Sequence, residues 1–314
     1  MNPIQQRTIA DTGSQARTNS PGAAKTLASL RDEVETHLDR MVTARSEFPT
    51  NLHEVMRYSL LGGGKRIRAI LCVLVSEAAD NRGRAFAMKA GCAIEMVHAA
   101  SLILDDLPCM DAATTRRGRP TTHRKFGDAS SILAAIGLLN RAYEVIAECS
   151  ATQERTKCEA IRALTKAVGT EGMITGQEMD LNEHNTFSDA ANVERLNWLK
   201  TGVLFCTAAE MGSISAGLDK KTTDAVRRFS THIGLAFQTA DDVIDQQATA
   251  VTAGKDVRQD TDKQTLVSIF GVDGALQSCE EHLELARAAL LESGLDGKVL
   301  NAFIDSIFAN RTRN

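Results

Sequence analysis

Five prolines in 314 residues, no Cys-x-x-Cys pair and no strand-like alternation of Val, Ile and Thr set the first limits on this chain. No apolar run reaches the roughly 18 residues that cross a bilayer, so no membrane span is expected. The seven cysteines (Cys72, Cys92, Cys109, Cys149, Cys158, Cys206 and Cys279) are scattered, and several lie inside apolar stretches. That suits small buried hydrophobes in a reducing compartment, the cytoplasm, better than disulfides or a zinc site. A net charge of −4 gives no general attraction to nucleic acid or anionic lipid, so any anion-binding patch must be local. No period of 20–50 residues marks a repeat protein.

What remains is helical. Apolar residues recur at three- and four-residue spacing over 27–46, 66–79, 84–106, 129–148, 154–179, 190–216, 222–246, 263–269, 274–292 and 296–308. Turn residues such as Gly62-Gly63-Gly64 and Arg117-Gly118-Arg119-Pro120 fall between them. The expected fold is all-α, a single large bundle of about ten helices around a central cavity. It spans 26–314, behind a disordered extension over 1–25 that is polar and lacks the apolar core of a secretory signal.

Two acidic clusters carry the chemistry. Asp105-Asp106-Leu-Pro-Cys-Met-Asp111 and Asp241-Asp242-Val-Ile-Asp245 each end a long apolar run. Asp is a poor helix-interior residue and is seldom buried unless paired or bound to metal. One such cluster can be a solvated helix end; two, each closing an apolar helix, call for a counter-charge. Hard divalent cations, Mg²⁺ above all, are held by one or two carboxylates together with substrate phosphate oxygens. Asp241 and Asp245 are four residues apart on one helix face. Pro108 breaks the other helix after Asp105-Asp106, and the following step brings Asp111 back toward them. His98, two turns before Asp105, looks toward the same space.

Cations complete the picture. Gly62-Gly63-Gly64-Lys65-Arg66-Ile67-Arg68 is a glycine-rich turn opening an apolar helix, and its positive charges oppose the helix dipole and invite an anion. It is not a nucleotide-binding P-loop, because Arg66 follows the lysine where Ser or Thr is needed. Arg116-Arg117 follows the first acidic cluster and suits bidentate phosphate binding. Two diphosphates and metal between them imply a condensation.

In these motifs the chain resembles the trans-isoprenyl diphosphate synthases, the polyprenyl synthetase family, from about residue 26 to the C-terminus. The matching residues are Gly63-Gly64-Lys65-Arg66-x-Arg68, His98, Asp105-Asp106-x-x-x-x-Asp111 with Arg116-Arg117-Gly118, and Gly176-Gln177-x-x-Asp180. Lys200-Thr201-Gly202, Phe237-Gln238-x-x-Asp241-Asp242-x-x-Asp245 and Gly254-Lys255-Asp256 follow in order. The resemblance implies that Asp105, Asp106, Asp111, Asp241, Asp242 and Asp245 hold three Mg²⁺ against an allylic diphosphate. Arg116, Lys200 and Lys255 would contact that diphosphate. Lys65, Arg68, His98 and Arg117 would bind isopentenyl diphosphate without metal. Thr201 and Gln238 would lie near the reacting carbons, with Gln177 and Asp180 supporting the cavity.

Product length in this family is set along the helix that carries the first cluster. Ala100 lies five residues above Asp105, about 7.5 Å along the axis, with Ser101 beside it. An aromatic residue there stops bacterial relatives at fifteen carbons, whereas both are small here. With the Pro108-Cys109 insertion, this resembles the short-chain bacterial members that make geranylgeranyl diphosphate for carotenoids. A farnesyl diphosphate synthase is the alternative. A terpene cyclase would leave Lys65, Arg68 and His98 unexplained. A non-catalytic partner subunit would be expected to have lost one Asp cluster. The family usually forms homodimers.

Overall fold

The structure is a computed structural model that describes residues 21–43, 51–80, 82–182, 190–252 and 265–309. Of the extension expected over 1–25, residues 1–20 lie outside the described ones, as do Lys255 and the basic tail at 311–313. Helix α1 (Pro21–Val42) begins inside that stretch, ahead of the expected domain start at 26. Proline is favoured at a first helical position because its missing N–H would be unsatisfied there anyway.

The described residues form α helices throughout, with one two-stranded ribbon. After α1 come α2 (Leu52–Leu60), α3 (Ile67–Glu77) and α4 (Arg84–Asp105). The ribbon follows, β1 (Thr115–Arg116) and β2 (Arg119–Pro120), then α5 (Thr122–Phe126), α6 (Asp128–Ala147) and α7 (Glu154–Val168). Next are α8 (Met173–Asn182), α9 (Ala190–Asn197), a π turn over Trp198–Gly202 and α10 (Val203–Ala216). The chain closes with α11 (Lys220–Thr252), α12 (Leu266–Ser293) and α13 (Gly297–Phe308). The stretch expected as one helix over 154–179 is divided at Gly169–Gly172, and the one expected over 190–216 contains the π turn. The separation expected between 269 and 274 is present as a break in α12, where Gly271 takes φ 72°.

Helix α4 is the centre. It packs on α3, α6 and α10, while α10 also contacts α11, and α11 lies along α12. Small residues set these distances: a Cβ on Gly91 of α4 would stand 2.9 Å from Ala69 Cα of α3. Phe86, Phe205, Phe229 and Phe303 fill the core, each worth about 2–3 kcal/mol of burial. Helix α4 also corrects an expectation. It is long and apolar enough by length and composition to cross a membrane, with a mean hydropathy of 1.4 over its best window. Yet 72% of that window is buried inside the bundle, so its apolar character serves the core. All seven cysteines are free, and Cys72, Cys92, Cys149 and Cys279 are buried as expected of small hydrophobes.

Candidate active site

The acidic end of α4 forms as its sequence dictates. The helix stops at Asp105, Asp106 caps it, and the Asp111 N–H donates to the Asp105 carbonyl at 2.9 Å, closing the Pro108 turn. Asp106 is buried and paired with Arg116, whose Nε lies 2.9 Å from both carboxylate oxygens. Asp111 is exposed. Burial pushes the Asp105 carboxyl up to about 6; Lys200 and Arg116 oppose this, while Asp111 and Asp106 add to it.

The arginines come from a ribbon that the helical reading missed. Thr115 pairs with Pro120 and Arg116 with Arg119, and the connecting Arg117 and Gly118 both have positive φ, 53° and 72°. Two such residues in succession make the turn type whose twist matches a two-residue hairpin. Helix α2, also absent from the sequence reading, anchors the ribbon. The Tyr58 hydroxyl donates to the Pro120 carbonyl at 2.8 Å, and the Arg119 and Lys125 cations lie over its ring, each 4.1 Å from the centroid. The Arg117 guanidinium donates to the Gly63 carbonyl, tying the ribbon's tip to the glycine turn.

In that turn the three cations divide their work. Arg66 is buried with φ 52° and bonds Glu35 at 2.6 Å, Glu95 at 3.5 Å and the Leu60 carbonyl at 2.6 Å. It is a structural ion pair and not an open anion ligand. All three line a cavity of about 480 Å³ with His98, Arg116, Arg117, Thr201, Phe237, Gln238 and Asp241, but Lys65 and Arg68 lack carboxylate partners among the bonds described. The Arg68 guanidinium sits 4.7 Å from the Phe205 ring centroid, and its buried Nε has no hydrogen-bond partner. Burial, then Arg68, Arg117, Arg116 and Arg66, hold His98 well below the usual histidine range, so its imidazole is neutral. Glu95 lines the cavity too, and sequence reasoning missed it. Its position one helical turn before His98 on the same face was the available signal.

Across the cavity, α11 and the π turn supply the rest. Thr201 Oγ1 donates to Gln238 Oε1 at 2.8 Å, and Gln238 Nε2 donates to Asp242 Oδ1 at 2.8 Å. Lys200 Nζ donates to the buried Asp180 Oδ2 at 2.5 Å. The backbone of Asp245 belongs to α11, but its side chain, like the whole of Lys255, lies outside the described residues. Close contact fixes the turn: a Cβ on Gly176 would come within 2.8 Å of the Leu199 carbonyl carbon, and one on Gly234 within 2.8 Å of Gly202 Cα.

A second cavity of about 370 Å³ starts at Asp105 and Lys200. Ser101 lines it, together with Val97, Leu104, Leu139, Val168, Met173, Gln177 and Leu181. Ala100, expected to share this role, is fully buried in the core and does not line it. One helical step of about 100° takes it off that wall. The segment Val97–Asp105 therefore has a cavity on either side, with His98 and Leu102 on one and Val97 and Ser101 on the other.

Among the described residues no three His, Cys, Asp or Glu side chains stand together as a ready-made metal cage. The carboxylates fit the other kind of site, in which a hard cation takes one or two of them and completes its shell with phosphate and water. A bound cation would offset the burial that raises the Asp105 carboxyl.

Comparison with known proteins agrees with this geometry. The sequence pattern of the polyprenyl synthetase family matches residues 49–292. A geranylgeranyl diphosphate synthase of Pantoea ananas is 37% identical, covering 89% of this chain and 91% of the relative. A farnesyl diphosphate synthase of Geobacillus stearothermophilus is also 37% identical, covering 91% and 96%. Among solved structures, a farnesyl/geranylfarnesyl diphosphate synthase of Zymomonas mobilis superposes with a TM-score of 0.79 at 33% identity, covering 91% of this chain and 97% of that one. The cationic cavity that Asp241 and Arg116 help to line and these likenesses converge: the chain belongs to the polyprenyl synthetase family, the prenyltransferases that join isopentenyl diphosphate to allylic diphosphates.

Proposed function

We propose that the chain is a geranylgeranyl diphosphate synthase, condensing isopentenyl diphosphate with dimethylallyl, geranyl and farnesyl diphosphates up to twenty carbons. The observation that carries this reading is the pair of cavities sharing the α4 wall, one cationic and one apolar. Lys65, Arg68, His98 and Arg117 give the first cavity the donors for a diphosphate that needs no metal. Neutral His98 donates a hydrogen bond there without adding to the crowded positive charge. The second cavity takes an allylic tail, and none of its lining residues is aromatic.

Asp105, Asp106, Asp111, Asp241, Asp242 and Asp245 would hold Mg²⁺, which when bound supplies electrostatic stabilisation of the departing diphosphate. For Asp106 this requires Arg116 to let go of its carboxylate, which frees the guanidinium for the same diphosphate. Lys200 adds positive charge at that end, and Lys255, ten residues after Asp245 in the sequence, is proposed to add more. Thr201 donates its hydroxyl hydrogen bond to Gln238, which leaves the hydroxyl lone pairs free for the carbon that becomes positive. Asp242 fixes the Gln238 amide in that orientation. The apolar walls exclude water that would trap the cation. The departing diphosphate takes the final proton.

Farnesyl diphosphate synthesis is the second reading, favoured by the Geobacillus relative at equal identity. Chain-length analysis of the products from farnesyl plus isopentenyl diphosphate decides. Products ending at fifteen carbons, or passing thirty, would refute the proposal. A homodimer is proposed as well, supported by the exposed Ile132, Leu133 and Ile136 on α6 and Ile174 on α8. Leu133→Glu should yield monomer in light scattering; an unchanged mass places the interface elsewhere. The free cysteines support a reducing compartment, the cytoplasm, for the enzyme.

A further inference from the structure

Two arginines tie α1, α3 and α4 together. Arg84, at the start of α4, bonds Glu33 of α1 at 2.7 and 2.9 Å and Glu77 of α3 at 2.7 Å. Its side chain is 35% exposed, and it lines neither cavity. Arg66, at the start of α3, reaches Glu35 of α1 and Glu95 of α4 with 3% of its side chain exposed, and it takes in the end of α2 through the Leu60 carbonyl. The first staple lies at the surface. The second is built into the wall of the cationic cavity, which Arg66 and Glu95 both line.

Glu95 has a second task there. Its Oε1 accepts from the Ala69 N–H at 3.3 Å, one of the first-turn amides of α3 that have no partner within their own helix. Arg66, at the N-cap position, offers that turn no side-chain acceptor, so a carboxylate from a neighbouring helix caps it. Arg66 also holds φ 52°, a region that residues other than glycine seldom occupy and keep only where the surroundings impose it. The backbone on either side of that residue carries Lys65 and Arg68. Their directions therefore depend on a conformation that Glu35, Glu95 and the Leu60 carbonyl impose through one guanidinium.

The electrostatics agree with the geometry. Burial holds the Arg68 guanidinium below the usual arginine range; Glu95, ahead of Asp241, opposes this, and Arg117 adds to it. Burial and Arg66 lower Arg117 in the same way, again against Glu95. Before a diphosphate arrives, Glu95 thus supplies negative charge to cations that would otherwise repel one another. We infer that Glu95, acting through Arg66 and the capped turn of α3, is a positioning residue that aims Lys65 and Arg68 into the seat of isopentenyl diphosphate. The inference rests on the reading of this cavity as that seat.

The test measures kcat, KM for each substrate and thermal melting in the full-length protein. Glu95→Gln keeps an oxygen for the Ala69 amide and removes the charge that holds Arg66. KM for isopentenyl diphosphate should rise about tenfold, the scale of one lost hydrogen bond to a charged group, while KM for farnesyl diphosphate stays near wild type. Arg66→Met should do the same, and the double variant should add little to either single change, because the two residues act as one unit. Arg84→Met should lower Tm and leave both KM values unchanged, the response of a staple that only holds helices. A lower KM for isopentenyl diphosphate in Glu95→Gln would mean that Glu95 merely repels the diphosphate and would overturn the proposal, as would an equal rise for both substrates. Lys65→Ala tests the underlying reading: if it leaves KM for isopentenyl diphosphate unchanged, this cavity is not that substrate's seat. A raised KM in Lys65→Ala beside an unchanged one in Glu95→Gln removes the positioning role alone. Should Glu95→Gln fail to fold, Glu35→Gln decides, because it withdraws the 2.6 Å bond to Arg66 from α1. KM for isopentenyl diphosphate should again rise alone, and an unchanged value overturns the proposal.

Discussion

Replacing Asp180 with Asn tests whether a buried carboxylate sets the position of Lys200. The pair is close, at 2.5 Å, with side-chain exposures of 8% for Asp180 and 32% for Lys200. Breaking a fully buried ion pair costs about 3–5 kcal/mol. Water reaches the lysine here, so the expected loss is reduced to about 1–2 kcal/mol, a fall of about 2–4 °C in Tm. The functional effect should be larger than that suggests. Freed from Asp180, the ammonium turns to Asp105, which it already faces electrostatically. A cation settled on that carboxylate competes with metal. A competing interaction of about 1.4 kcal/mol would raise the Mg²⁺ concentration for half-maximal rate about tenfold. The assay is condensation of farnesyl with isopentenyl diphosphate across a Mg²⁺ titration, alongside thermal melting. Asp180→Asn should show both the shifted titration and a lower kcat, and Asp180→Glu should recover part of each. A variant that melts earlier but keeps the wild-type Mg²⁺ curve and kcat would refute the positioning role.

Ala100→Phe and Ser101→Phe, adjacent in sequence, should part company. The first overpacks the core and lowers stability by about 1–3 kcal/mol without shortening the product, whereas the second narrows the tail cavity and shifts products toward fifteen carbons. Shortening by Ala100→Phe alone would reverse the assignment. Tyr58→Leu removes a hydroxyl bond worth about 1 kcal/mol and two cation–ring contacts of about 0.5–1 kcal/mol each, loosening the ribbon that aims Arg117. KM for isopentenyl diphosphate should rise about tenfold with kcat nearly intact; an unchanged KM would show the ribbon is held elsewhere. His232 and His282 bring their Nδ1 atoms within 3.1 Å between α11 and α12. Burial lowers both imidazoles, aided for His232 by His282 and opposed for His282 by Glu281. The unfolded chain therefore takes up protons first as pH falls through about 6.5, and the pair's contribution is present above that pH and lost below it. Urea midpoints at pH 7.5 and 5.5 should drop less for His232→Gln than for wild type, and an equal drop would dismiss the pair as a source of acid sensitivity.

How far the sequence could be read follows from the range of each interaction. The helix ending at Asp105 and the return of Asp111 were legible because Pro108 acts within four residues of both. The bundle and the Thr201, Gln238 and Asp241 surroundings followed from period and motif. The Arg117-Gly118 turn was visible as a turn, but pairing of two-residue strands leaves no periodicity, so the ribbon stayed hidden. Arg66 reads like its neighbours Lys65 and Arg68, yet its partners Glu35 and Glu95 come from α1 and α4. The second cavity was wholly beyond reach, since Leu139, Val168 and Met173 come to line it only through the packing of α6, α7 and α8. The placing of Ala100 failed for a simpler reason. Depth along a helix was counted correctly, but the direction in which that residue faces was not.

A single helix divides the two chambers, and neighbouring residues on it face opposite ways: Val97 and Ser101 one, His98 and Leu102 the other. For a lineage of such enzymes this arrangement separates two heritable traits. Under the proposed function, a point change at Ser101 would alter how long a chain is made while the machinery that joins the units, one residue-step around the helix, is untouched. Product length would thereby be free to drift or be selected in small steps without passing through inactive intermediates.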